Sequence, residues 1–112
     1  MKPHQTLGAF ESMLMLAVLR LGQEAYGVTI RRELLTKAKK DVAIGAIYTG
    51  LERMERKKFI ESWLGEATAS RGGRAKRYYR VTTKGLRVLN ETQSAIQGLM
   101  VGLNLAGGNP NA

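Results

Sequence analysis

The chain has 112 residues, 44% hydrophobic and 24% charged, which allows one compact domain and excludes a second catalytic lobe or a disordered chain. Eighteen lysines and arginines oppose nine acids, a net charge of +9, so a polyanion is the expected partner class. Cysteine is absent, which excludes thiol catalysis, thiolate metal sites and disulfides and makes a cytoplasmic location the simplest expectation.

No apolar run of signal-peptide length precedes Glu11. Residues 92–112 are free of charge but contain Gln, Asn, Gly and Pro, and fall short of a membrane span. No membrane partner is expected. Phe10, Met13, Leu14, Ala17, Val18 and Leu21 recur at spacings of three and four, which predicts a helix with a core-facing stripe. Met15, Leu16 and Leu19 make its other side apolar too. A helix of this kind needs cover on two sides, so it is expected to touch a second subunit, with Phe10 and Leu14 at that contact. Gly22 is a plausible C-cap. A second helix begins near Gly27, with Ile30, Leu34 and Ala38 inside and Arg31, Arg32, Lys37 and Lys39 outside.

The third helix, residues 44–57, carries two complementary stripes. Ile44, Ile47, Leu51 and Met54 form the apolar one. Gly45, Tyr48, Thr49, Glu52, Arg53 and Arg56 form a polar one about 150° away, each residue turning about 100°. Hydrogen-bonding and cationic groups at this spacing suit a groove, and a solvated outer face is the bland alternative.

Ile60–Leu64 and residues 76–82 are short and rich in β-formers, which predicts a hairpin whose connection turns at Gly72-Gly73. Residues 67–90 hold seven basic side chains and no acidic one, a suitable edge for reaching a phosphate backbone or a minor groove. A last helix starts at Thr82 or Thr83, either of which can cap it, and is expected to reach about residue 105. Its stripe of Leu86, Leu89, Ile96, Leu99, Met100 and Leu103 is too long for a core of three short helices. Leu89, Ile96, Leu99 and Leu103 are therefore expected to pack on another subunit.

His4 is the only histidine, so no histidine dyad or multi-histidine metal site can form. The carboxylates mostly sit beside cations, as in Glu52-Arg53 and Glu55-Arg56, and no phosphate-binding glycine loop is present. An enzyme, a cofactor and a metal are not expected.

Two short helices, a helix with a polar outer stripe, a basic hairpin and a long helix follow the order of a winged helix-turn-helix, a mainly α fold with a β-hairpin. Tyr26-Gly27, then Gly45, Tyr48 and Leu51, then Gly72-Gly73-Arg74 followed by Tyr78-Tyr79, resemble the PadR family of bacterial transcriptional regulators over residues 7–89. The resemblance implies a homodimeric repressor on an inverted-repeat operator in double-stranded DNA. It puts recognition-helix contacts on Gly45, Tyr48, Thr49 and Arg53, and wing contacts on Arg71, Gly73, Arg74 and Lys76. Residues 1–85 would be the DNA-binding domain, 86–106 the dimerisation helix, as in the smaller subgroup of the family, and 107–112 a disordered tail. A small-molecule effector is left open and unidentified. An aromatic pocket between subunits is disfavoured, because the last helix has no aromatic residue and Phe10 is the only one on the first.

Three positions depart from the family habit. Ala43 stands where a serine commonly caps the third helix, and Lys58 where a glycine commonly ends it. Gly50, inside that helix, costs about 1 kcal/mol relative to alanine and predicts a looser recognition helix. Trp63 is expected to pack its strand against the helices. A non-specific architectural nucleic-acid binder and a protein- or membrane-surface module remain as other function classes.

Overall fold

The computed structural model describes residues 5–66 and 75–105. Its elements run α1 (Ala9–Leu21), a 3-10 turn (Gly22–Glu24), α2 (Gly27–Ala38), α3 (Ile44–Arg56), β1 (Ile60–Leu64), β2 (Arg77–Val81) and α4 (Thr83–Met100). This is the expected mainly helical winged fold with one hairpin. β1 and β2 are antiparallel, with Ile60 opposite Val81 and Leu64 opposite Arg77. Tyr26 adds a single bridge to Tyr78, and the Tyr79 N–H donates to the Ala25 carbonyl at 2.9 Å. The segment entering α2 is thereby fastened to the hairpin.

The first three helices close on one core in which Leu14, Met15, Ile30, Ile47, Leu51 and Met54 have no exposed surface. The expected place of Leu14 at a subunit contact is corrected here, since it is 0% exposed within the single chain. Gly50 supplies the reason. A Cβ there would lie 2.6 Å from Leu14 Cδ1 and 3.1 Å from Phe10 Cε2, so the bare α-carbon lets α1 and α3 approach. The helix penalty of glycine at this position is thus accompanied by closer packing of the two helices.

The start of α4 is fixed by its neighbours. Thr82 is the cap: its Oγ1 accepts from the Gly85 N–H at 3.0 Å and donates to the Lys58 carbonyl at 2.7 Å. A Cβ at Gly85 would come within 2.1 Å of the Phe59 carbonyl oxygen, so only glycine permits that backbone contact. Further along, the buried Thr92 hydroxyl accepts from the Leu7 N–H at 3.0 Å and donates to the Val88 carbonyl at 2.9 Å. Leu89, expected on the subunit contact, is 3% exposed and belongs to this core as well. Past Thr92 every residue of α4 is exposed. The helix ends at Met100, short of residue 105, and the expected tail of 107–112 lies outside the described residues.

Chain reversal after α3 uses a Schellman arrangement. The Phe59 N–H donates to the Met54 carbonyl at 2.9 Å and the Lys58 N–H to the Glu55 carbonyl at 3.0 Å, with Lys58 in the left-handed region at φ 69°. That position favours glycine because a Cβ there crowds the backbone. Lys58→Gly is expected to stabilise the fold by about 1 kcal/mol, read as a higher urea midpoint with an unchanged slope.

Candidate nucleic-acid interface

α3 is amphipathic in the expected sense. Ile47, Gly50, Leu51 and Met54 face the core, while Gly45, Tyr48, Thr49, Glu52, Arg53 and Arg56 are all exposed. Ile44, counted in the apolar stripe, lies at the first turn and is itself exposed. At about 100° per residue, Gly45, Thr49, Glu52 and Arg56 point most directly away from the core, and Tyr48 and Arg53 flank them on opposite sides. Thr49 donates to the Gly45 carbonyl at 3.0 Å. Ala43 contributes no side-chain cap, as its residue type dictates. Arg53 and Arg56 form no ion pair among the described residues.

Tyr48 leans toward α2: a Cβ at Gly27 would be 2.2 Å from the Tyr48 hydroxyl oxygen. Its remaining surface opens on a cleft of about 660 Å³ between the start of α2, α3 and the hairpin, shared by Glu52, Lys76, Arg77 and Tyr79. The inner face of the hairpin is tied to α3. Arg77 Nη1 donates to Ser62 Oγ at 3.0 Å, and the Ser62 hydroxyl donates to the Glu55 carboxylate at 2.6 Å.

The outer face of the hairpin differs from expectation. Trp63 alternates away from Ile60 and Ser62, so it is 42% exposed and stacks on Tyr78 at 6.1 Å instead of on the helices. Tyr26 meets Tyr78 edge-on at 5.5 Å. Lys76 Nζ sits 3.8 Å over the Tyr26 ring, and the Arg80 guanidinium carbon 5.5 Å over Trp63. Strand alternation and register reveal the Trp63–Tyr78 pair. Tyr26 joins them only through a tertiary bridge, for which the sequence carries no signal. Of the wing residues singled out from sequence, Lys76 therefore rests on an aromatic ring, and Arg71, Gly73 and Arg74 lie outside the described residues.

Of the residues expected at a subunit contact, Phe10 is half-buried against the core. Ile96, Leu99 and Leu103 are 47%, 79% and 63% exposed. Among the described residues no helix is long and apolar enough to cross a membrane, and no group of acids or histidines has metal-binding geometry.

A model of the transcriptional regulator PadR-like family matches residues 15–91. Among solved structures, the chain is similar to a PadR family transcription regulator from Clostridium difficile R20291, with 25% identity over 82% of this chain and 95% of that one and a TM-score of 0.66. It is also similar to a PadR-like transcriptional regulator from Bacillus cereus, with 26% identity over 85% and 94% and a TM-score of 0.63. A PadR family regulator from Eggerthella lenta aligns at 26% identity over 79% and 74%, with a TM-score of 0.63. No curated protein sequence matches the chain.

At the back of the cleft, the Tyr79 phenol is pushed up from 10.0 to about 12, first by burial and next by Tyr48, with Glu55 and Glu52 adding and Arg77 opposing. The folded state thus prefers the neutral phenol. Its contribution is intact below pH 10 and is lost as the pH rises from 10 through 12, by up to roughly 3 kcal/mol. Tyr79→Phe should flatten the alkaline fall in stability relative to wild type, measured by denaturant midpoints between pH 9 and about 12; parallel profiles would contradict this.

Proposed function

The chain belongs to the transcriptional regulator PadR-like family, and we propose that it acts as a homodimeric repressor bound to an inverted-repeat operator in duplex DNA. The observation that carries this reading is α3, whose inner face is fully buried while its outer face offers a hydroxyl and two guanidinium groups without ion-pair partners among the described residues. A helix of this design fits the major groove, with Gly45 allowing close approach and Thr49 and Arg53 reaching base edges. Tyr48 takes a phosphate from the side of the cleft. Arg71, Gly73, Arg74 and Lys76 on the wing grip the backbone or the adjacent minor groove. In this reading the protein is cytoplasmic, with no chemistry of its own beyond binding.

Dimerisation is supported by the second half of α4. Ile96 and Leu99 on it, and Leu103 just past its end, are exposed apolar residues, and Leu16 and Leu19 of α1 are exposed too. Covering such a surface with a second copy satisfies it and spaces two recognition helices for two half-sites.

Arg53→Ala should relax preference at one base pair of each half-site by about 1–3 kcal/mol while background affinity falls less, measured by competition between operator variants. A uniform loss across all sequences would make Arg53 a phosphate contact and favour the architectural reading. Ile96→Glu should place an unpaired carboxylate in the subunit contact and weaken association by roughly 3–5 kcal/mol; an unchanged dimer mass in sedimentation would remove α4 from the interface.

A further inference from the structure

Glu52 is at odds with the charge of its surroundings. It is exposed on α3, and at about 100° per residue it lies nearer the outward direction than Tyr48 or Arg53. Five other acids of the fold are tied up, while Glu24 and Glu66, which lie off α3, form no side-chain hydrogen bond or ion pair among the described residues. Glu11 pairs with Lys57 at 3.4 Å and Asp41 with Arg31 at 3.3 Å; Glu33 pairs with Arg20 and Glu61 with Arg80. Glu55 accepts from Ser62. Glu52 forms no hydrogen bond or ion pair among the described residues, although Lys76 and Arg77 border the same cleft.

A free carboxylate on the face that meets DNA is repelled by every phosphate it approaches. In the major groove its favourable neighbours are exocyclic amino donors. Guanine presents two acceptors and thymine an acceptor and a methyl group, and adenine sets its amino group beside the N7 acceptor. Cytosine offers an amino donor with no acceptor of its own on that edge.

We propose that Glu52 is a specificity-determining residue whose carboxylate accepts a hydrogen bond from the N4 amino group of a cytosine in each operator half-site. The inference rests on the DNA-reading role of α3 proposed above. Glu52 then acts twice: it rewards one base pair, and through phosphate repulsion it weakens binding wherever that pair is missing. A carboxylate in this place trades total affinity for discrimination.

The test enriches duplexes from a randomised pool with the full-length protein and with Glu52→Ala, an exposed helical position where alanine preserves the fold, as circular dichroism will verify. Wild type should select a cytosine at one position of each half-site. Glu52→Ala should lose that preference by about tenfold, keep the preferences at other positions, and bind random duplex more tightly. If the variant keeps the cytosine and only binds everything more tightly, Glu52 is a general repeller and the proposal is overturned, with the function intact. If wild type selects a site without such a cytosine, the proposal is likewise overturned. If wild type selects no sequence at all, the operator reading fails first and this inference falls with it.

Discussion

One buried residue fixes the geometry of the side formed by α3, the hairpin and the start of α4. Phe59 is almost fully buried, and its backbone serves three elements. Its N–H closes α3 on the Met54 carbonyl, and its carbonyl accepts from the Thr82 N–H at 2.9 Å. The same carbonyl presses on Gly85 at the start of α4. The end of α3, the return of the hairpin and the entry to α4 are thus set by contacts on a single residue. Backbone contacts of this kind leave little room for slippage, because a displaced donor or acceptor would be buried without a partner.

From that junction two further contacts stiffen the arrangement. The Arg77–Ser62–Glu55 chain holds the hairpin to α3, and the Tyr48 ring rests on the glycine that opens α2. The outward groups of α3 and the base of the wing are therefore held at a fixed separation before any ligand arrives. Preorganisation of this kind reduces the ordering cost of association. The aromatic row of Tyr26, Tyr78 and Trp63 serves the same end from the other face, since it joins the segment before α2 to both strands of the hairpin.

Much of this was legible in the residues. The helix spans follow from three- and four-residue spacing, the hairpin from two short runs of β-formers, and Thr82 was one of two possible caps. What escaped was tertiary in origin. Gly50 looks like a weak point by propensity and becomes a close contact only when Leu14 and Phe10 are set against it. Leu14 and Leu89 fit an apolar stripe whatever covers them, and periodicity cannot say whether that cover is the same chain or another. Residue type leads one to expect Trp63 to pack its strand against the helices, whereas strand alternation sets it on the outer face. Glu52 belonged to the polar stripe from the start, but its lack of a partner appears only when the ion pairs of the other acids are in view.

Thr92 divides α4 into two parts with different physics. Before it, Gly85, Val88 and Leu89 are buried and the helix is held by the core. After it, two turns project with only polar or exposed apolar groups around them. Two isolated turns would not persist in water, because helix nucleation is costly. Here the nucleus is already supplied by the buried half, so each added residue needs only propagation. The projecting turns therefore exist as a formed apolar ridge in the single chain, and a second copy would meet an ordered surface rather than order it on contact. In the proposed dimer, association would gain from apolar burial at a smaller entropic cost, and the stability of the second half of α4 would become linked to protein concentration while the first half depends on its own core.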